Sequence, residues 1–598
     1  MLTINDVHQQ FAEYFNVPDL KPYAYLLSRK LSEGHICLDL DKINEQPEDI
    51  PAWCRNLPPG SKPLQSMPMV AKNGDDRQPF VLHQGNLYIQ RYFRYETSFV
   101  NSIFSALKVE KKAVAERLAA LNDHAALIKK LLGADLPATV DVSTFEDPTD
   151  WQVAAAISGI LNNFTIITGG PGTGKTTTVA KILSILFTMH PELKVALAAP
   201  TGKAAARMAE SLRNTKLAPD SKLAEKFQAL EPSTIHRLLK WQSGTPYFRY
   251  NSDNPLHVDV VIVDECSMID IALFAKLLEA IGPDTRLILL GDKDQLASVE
   301  AGSLFGDLCK SLSGLNLFTK DRLSFINGFI PDAKRCIAST HGNNGDPHPL
   351  FEHLVELRHS HRFTGFFGIG RFSKAIIAGD RVILQEPNEQ VTIDGDYSSE
   401  LFSTFIAGYT AFIEEKDIRA ALRQMNNLRV LCAVREGAQG LDAVNRTIER
   451  LLHDRKKIIV NNEFYENRPI ILTRNYYEHG LFNGDAGIIR PNEKGVLMAW
   501  FEDSAGELKA VLPGYLQEAE TVFAMTIHKS QGSEFDEVMV VLPNTAQANI
   551  LTRELLYTAV TRAKKRVYIQ GAMEVILAAA SRHVQKASGI ASRFHELK

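Results

Sequence analysis

Gly169-Gly170-Pro171-Gly172-Thr173-Gly174-Lys175-Thr176 fits the pattern G-x-x-x-x-G-K-[ST] without a mismatch. The apolar run Phe164–Thr168 precedes it and reads as a strand, and a helix is expected over Thr176–Phe187. That strand–loop–helix setting is the one the pattern requires. Glycines let backbone N–H groups turn inward around phosphate oxygens, and the helix N-terminus adds partial positive charge. Lys175 is placed to neutralise the β- and γ-phosphates, and the Thr176 hydroxyl to ligate Mg²⁺. The candidate nucleotide-binding loop comprises Gly169, Gly170, Pro171, Gly172, Thr173, Gly174, Lys175, Thr176 and Thr177, with ATP and Mg²⁺ as expected ligands.

Around this loop short apolar strands alternate with helices: Phe164–Thr168, Val195–Ala199, Val258–Val263 and Arg286–Leu290. Such alternation predicts an α/β fold with a parallel sheet covered on both faces. The strand Val260-Val261-Ile262-Val263 ends in Asp264-Glu265. Asp264 is a candidate Mg²⁺ ligand, and Glu265 a candidate for polarising an attacking water. Cys266 beside them reads as a packing residue, because no basic partner adjoins it in sequence. Leu289-Leu290-Gly291-Asp292-Lys293-Asp294-Gln295-Leu296 ends the next strand, with Gln295 in reach of a γ-phosphate.

A second α/β block is expected from near Leu354, with a strand over Arg429–Ala433 and a helix over Leu441–Asp454. Between Arg468 and Leu512 the period shortens to β segments (Pro469–Thr473, Gly487–Arg490, Gly495–Phe501, Leu508–Leu512), which predicts a small inserted barrel. The α/β texture returns at Val522–Ile527, Glu537–Leu542 and Arg566–Gln570. Ser313–Pro349 reads as a loop-like connection, Pro51–Pro63 as turn-rich, and Ser98–Leu132 as helical. The expected division is 1–145 (mainly α), 146–345, 346–467 with 516–598, and an insertion at 468–515.

The formal net charge is −4 and the sequence pI about 6.5, so any nucleic-acid contact has to be a local groove rather than a basic coat. Six scattered cysteines without a CxxC pair argue against a disulfide framework or zinc ribbon and for a reducing cytoplasm. No apolar run reaches the roughly 18 residues of a membrane span. The start, Met1-Leu-Thr-Ile-Asn-Asp, lacks the basic and apolar regions of a secretory signal.

Four further segments narrow the chemistry. Ala198-Ala199-Pro200-Thr201-Gly202-Lys203-Ala204-Ala205 leaves a strand for a helix, with small residues and a hydroxyl suited to a sugar–phosphate backbone. Ser233-Thr234-Ile235-His236-Arg237-Leu238 clusters hydroxyl, imidazole and guanidinium. Thr526-Ile527-His528-Lys529-Ser530-Gln531-Gly532-Ser533-Glu534-Phe535-Asp536 and Leu556-Tyr557-Thr558-Ala559-Val560-Thr561-Arg562-Ala563 follow. This set, in this order over residues 150–570, resembles the superfamily 1 helicases. Together with Leu481-Phe482-Asn483-Gly484-Asp485-Ala486-Gly487, it resembles within them the RecD family, the alpha subunits of exodeoxyribonuclease V.

The resemblance implies two RecA-like motor domains with ATP between them, an SH3-like inserted barrel, and 5′→3′ translocation along single-stranded DNA at duplex ends. It implies that Gln152 reads adenine, that Glu534 contacts the ribose, and that Arg362 and Arg562 are arginine fingers. Thr201, Lys203, Thr234, His236, Thr526, His528 and Lys529 are implied strand contacts. The arginine segment reads Ser360-His361-Arg362-Phe363, where Ser-Tyr-Arg-Phe is the family's expectation. Implied partners are a RecB-like helicase–nuclease chain and a RecC-like scaffold chain, with residues 1–145 as the docking module and a role in recombinational repair of double-strand breaks. No nuclease constellation is visible outside the motor. Two alternatives stand beside this reading: a stand-alone RecD-like helicase, and a DNA-end-binding ATPase switch that does not unwind.

Overall fold

The computed structural model describes residues 6–45, 50–72, 77–133, 147–214, 221–242, 244–298, 300–302, 304–312, 314–343, 345, 348–363, 366–503, 506–545, 550–584 and 586–596. Two parallel sheets form its body. The first has the order Leu354–Leu357, Phe164–Gly169, Arg286–Gly291, Val260–Val263, Val195–Ala199, Ser233–Thr234. The second has the order Val391–Asp394, Ala563–Gln570, Phe535–Val541, Leu428–Cys432, Ala524–Thr526. Val260–Val263 is buried at all its positions, as expected of a parallel strand with helices on both faces. Helices Trp151–Leu161 and Lys175–Met189 share one apolar cluster with Ile167, Ile262 and Ile288 and cover one face of the first sheet.

Several boundaries differ from the sequence reading for identifiable reasons. Leu354–Leu357 does not open the second block; it pairs in parallel with Phe164–Gly169 and completes the first sheet, so the first unit runs past residue 345. The inserted region is a five-stranded antiparallel sheet, and its last strand, Ala519–Thr521, pairs with Pro469–Leu472. Of the expected strand Val522–Ile527, Ala524–Thr526 forms and belongs to the second parallel sheet, while the insertion's last strand, Ala519–Thr521, ends just before it. The loop-like connection carries a helix, Lys320–Asn327, capped by Thr319.

The N-terminal region is mainly helical and also holds a four-stranded sheet that the sequence reading lacks, Cys37–Asp39, Asn86–Ile89, Phe80–His83, Val70–Ala71. The long helix begins earlier than expected, at Gln90, and ends at Asp123, where His124 leaves the helical region before Ala125–Gly133. It packs along helix Ile271–Glu279 of the first unit, with Phe99 against Phe274 at 5.7 Å between ring centroids. The expected boundary at residues 145–146 lies outside the described residues.

The chain's end was expected in the second motor, yet helix Ile590–Glu596 packs on the long N-terminal helix. Glu96 is fully buried there; Arg593 Nε approaches its Oε2 at 3.2 Å and the Gly589 N–H donates to its Oε1 at 2.8 Å. Burial raises the Glu96 carboxyl above its ordinary range, and Arg593 opposes that rise. Arg593→Ala leaves a buried carboxylate without its cation, at a cost of about 3–5 kcal/mol. The expected outcome is a lower thermal midpoint with faster amide exchange along Gln90–Asp123; exchange equal to the wild type there would contradict this role.

Candidate nucleotide site and nucleic-acid groove

The phosphate loop sits at the carboxyl end of Phe164–Gly169, the edge at which open α/β sheets take ligands. Gly172 and Gly174 hold φ of 77° and 86°, the left-handed region that glycine enters without steric cost. Lys175 Nζ donates to the carbonyls of Gly169 at 2.6 Å and Gly170 at 3.3 Å, so its ammonium lies in the mouth of the loop. Gln152 Nε2 donates to Thr173 O at 3.2 Å, while its Oε1 accepts from Lys181 Nζ at 3.0 Å. Gln152, Thr173 and Lys181 border a cleft of about 720 Å³ that Trp151, Thr177, Arg358 and His361 also line.

Asp264 and Glu265 follow the buried strand Val260–Val263. Burial, with Glu265 adjacent, pushes the Asp264 carboxyl up to about 6, and Lys175 opposes the shift. Glu265 is a non-glycine residue in the left-handed region at φ 53°, a strained conformation of the kind that gathers at functional sites. Cys266 is buried with its thiol on Val263 O at 3.2 Å, consistent with packing. Gln295 Nε2 donates to Asp292 Oδ2 at 3.0 Å, and its buried Oε1 has no partner among the described residues. Among those residues no group of three His, Cys, Asp or Glu side chains is arranged to hold a metal.

The second half of the chain reaches this site at four places. Ser360 Oγ donates to Pro171 O at 2.9 Å, and the His361 N–H donates to Gly172 O at 2.8 Å, which lays the segment before Arg362 directly on the loop. Tyr557 Oη donates to Asp292 Oδ2 at 3.0 Å and lies 2.9 Å from where a Cβ on Gly170 would be. The Leu296 N–H donates to Thr558 Oγ1 at 2.9 Å, and Gln531 Nε2 donates to Leu296 O at 2.9 Å. Arg362 Nη2 pairs with Glu534 Oε2 at 2.6 Å, and Arg207 pairs with the other oxygen. Burial works against that carboxylate, but Arg207 and then Arg362 hold it down at about 2. Arg562 is buried, donating to Thr558 O at 3.1 Å and Ser533 O at 3.2 Å. The sequence reading missed Asp292, Tyr557, Thr558 and Gln531 as interface residues and Arg207 as the Glu534 partner. The only signal of the first four was membership of the quoted segments, and Arg207 lies two residues beyond one of them.

The candidate strand contacts gather on one side of the two sheets. Thr201 and Thr234 cap their helices, accepting from the N–H groups of Ala204 and Arg237 at 3.2 Å; Thr201 lies two residues past the strand Val195–Ala199, and Thr234 ends the adjacent strand Ser233–Thr234. Thr526 ends the edge strand of the second sheet and accepts from the Lys529 N–H at 3.3 Å. The two edges meet: a Cβ on Gly532 would lie 4.0 Å from Thr201 Oγ1. Lys203 is pushed down to about 8 by burial, then by Arg429 and Arg207. His236 is exposed with its ring 5.7 Å from that of Phe248, and His528 is half-buried. Lys529 Nζ is held by Glu520 Oε2 at 2.7 Å.

Family comparison agrees with this geometry. The AAA domain family matches residues 152–301, the UvrD-like helicase C-terminal domain 521–570, and the N-terminal domain of RecBCD enzyme subunit RecD 4–88. The chain is 34% identical to RecBCD enzyme subunit RecD of Mycolicibacterium smegmatis, over 98% of this chain and 96% of that one. The chain belongs to the RecD family of helicase subunits. The RecD of Haemophilus influenzae is also 34% identical, over 76% of this chain and 73% of its own length. The ATP-dependent RecD2 DNA helicase of Deinococcus radiodurans is 29% identical over 70% of this chain and 48% of that protein. RecD membership accounts for a nucleotide loop and a second helicase half in one chain.

The loop's fit to the arginine segment gives a direct test. A Cβ on Gly172 would stand 2.5 Å from Arg362 Cβ, at a φ that side chains rarely adopt. Gly172→Ala therefore forces loop and segment apart. Steady-state ATP hydrolysis is expected to fall by more than about tenfold, the effect of roughly 1.4 kcal/mol on the barrier, with circular dichroism unchanged. Hydrolysis at the wild-type rate would show that the contact is dispensable.

Proposed function

We propose that this chain is the ATP-driven 5′→3′ motor subunit of a three-chain helicase–nuclease acting on double-strand DNA ends. The observation that carries the mechanism is the seating of Ser360–Arg362 on Pro171 and Gly172, which supports the reading that a cation from one half of the chain serves phosphates held by the other. Arg362 Nη1 is buried without a partner among the described residues, the state of a donor that awaits an anion. Lys175 and the loop N–H groups hold the β- and γ-phosphates, Gln152 meets adenine in the cleft, and Glu534 exchanges Arg362 for the nucleotide. Glu265 orients the attacking water, Gln295 senses the γ-phosphate, and Arg362 with Arg562 stabilises charge as the phosphoryl group transfers.

The residues present fit a magnesium ion: the Asp264 carboxyl, raised by burial and by Glu265, gains from a nearby cation. Thr176 and Asp264 would hold it, and it would neutralise charge developing on the phosphates. The motors are assigned to residues 146–357 and 358–468 with 522–586, and the insertion, SH3-like in the family, to 469–521. Thr201, Lys203, Thr234 and His236 on one motor and Thr526, His528 and Lys529 on the other grip the strand in turn. Cleft closure and opening then move it.

The RecD N-terminal domain match over residues 4–88 supports the subunit reading, with that region docking on a RecC-like scaffold beside a RecB-like chain. Among the described residues no helix is long and apolar enough to cross a membrane. The six scattered cysteines without a CxxC pair support a reducing, cytoplasmic setting for the complex. Lys175→Gln is expected to abolish DNA-stimulated ATP hydrolysis and unwinding while retaining single-stranded DNA binding. Strand displacement is expected from a 5′-tailed duplex and not from a 3′-tailed one. Hydrolysis surviving in Lys175→Gln refutes the role of the lysine; unwinding from a 3′ tail alone refutes the polarity. Recovery from native cells as a lone monomer would favour the stand-alone reading.

A further inference from the structure

Phe482 stands on a braced turn of the insertion. Its N–H donates to Asp485 Oδ2 at 2.8 Å, the Asp485 N–H returns to Phe482 O at 3.0 Å, and the Gly484 N–H donates to Leu472 O at 2.8 Å. The turn reaches out of its own sheet to the first motor. A Cβ on Gly202 would lie 3.6 Å from Phe482 Cβ, and the Arg237 guanidinium lies 5.5 Å from the Phe482 ring centroid. Gly202 sits between Thr201 and Lys203, and Arg237 follows Thr234 and His236, so the ring stands over the wall assigned above to the strand.

The other end of the insertion does the same on the second motor. Glu520, in the last insertion strand, takes Lys529 Nζ at 2.7 Å and Arg435 Nη2 at 3.1 Å. An aromatic ring on a guanidinium and a carboxylate across two cations are the two kinds of contact that a nucleic-acid strand makes, through base and through phosphate. The insertion thus presents a base-like and a phosphate-like group to opposite walls of one groove.

We propose that Phe482 is a strand-gripping residue: it stacks on a base of bound single-stranded DNA, and in the DNA-free protein Arg237 holds it in that base's place. The proposal rests on the groove assigned under the proposed function. A strand entering the groove supplies phosphates to Arg237, Lys529 and Arg435, which frees Phe482 from Arg237 and Glu520 from its cations. The ring then closes on the base that has arrived. The motors supply the moving grips, and the braced turn supplies a π surface that tolerates any sequence, because every base has a π face.

The test uses the full-length chain and fluorescence anisotropy with oligo(dT), alongside an otherwise identical oligonucleotide bearing abasic sites. Phe482→Leu keeps the apolar volume without the π face, and Phe482→Trp keeps the face. Phe482→Leu is expected to weaken oligo(dT) binding by about tenfold, within the range for loss of one base–aromatic stack, and Phe482→Trp to bind as the wild type does. Abasic substitution should weaken the wild type and leave Phe482→Leu nearly unchanged, since the stack is lost once only. Wild-type affinity in Phe482→Leu, or an equal abasic penalty in both proteins, overturns the proposal. Lys529→Ala with Thr201→Ala serves as the reference: if that pair binds oligo(dT) normally, the groove itself is misassigned. If it binds weakly while Phe482→Leu does not, only the role of Phe482 fails.

Discussion

The arrangement of this molecule depends on the absence of a side chain at Gly172. The arginine segment can approach the phosphate loop only because no Cβ stands 2.5 Å from that of Arg362, and because the loop backbone takes φ of 77° there. Ser360 and His361 fix the approach by hydrogen-bonding Pro171 and Gly172. A loop that only held nucleotide would need glycines for the phosphates. This one needs them on its outer side as well, for a second polypeptide segment.

From that contact, coupling between the two halves passes through groups hydrogen-bonded or ion-paired across the boundary between them. Asp292 receives Gln295 from its own half and Tyr557 from the other, both on Oδ2 at 3.0 Å. Leu296 is bound through its N–H by Thr558 and through its carbonyl by Gln531. Glu534 joins Arg207 of the first half to Arg362. In the proposed mechanism a γ-phosphate competing for Arg362, or hydrogen-bonded to Gln295, would change the balance of these bonds. The residues they fasten, 526–534, include the candidate strand contacts Thr526, His528 and Lys529. On that proposal, charge at the phosphate position would be converted into a change in how the two sheet edges meet, with no long lever needed.

Much of this was legible in the sequence where the signal is local. The strand–loop–helix around Gly169–Thr176, the carboxylates after Val260–Val263 and the helix Leu441–Asp454 follow from periodicity and motif, and the observed elements lie within a residue or two of those read. Three things were not legible. Leu354–Leu357 is four residues long, and only sheet topology assigns it to the first unit. The short polar strand Ala519–Thr521 that closes the insertion just before the run Val522–Ile527 was not read at all, because three residues, one of them a glutamate, carry no strand pattern of their own. Contacts such as Tyr557 to Asp292 join residues 265 apart, and no local pattern encodes such pairing. The same holds for the tail at Gly589–Arg593, whose partner Glu96 lies at the other end of the chain.

The central claim is that the transition state is completed by arginines from the second half of the chain. Trapping of ADP with aluminium fluoride in the presence of single-stranded DNA tests it most directly, because the planar fluoride mimics the transferring phosphoryl group, whereas ADP alone does not. The account predicts that Arg362→Ala and Arg562→Ala bind ADP with affinity close to wild type yet fail to retain the aluminium fluoride complex. Retention equal to the wild type in both variants would contradict it, and would place all of the catalytic charge on the half that carries Lys175.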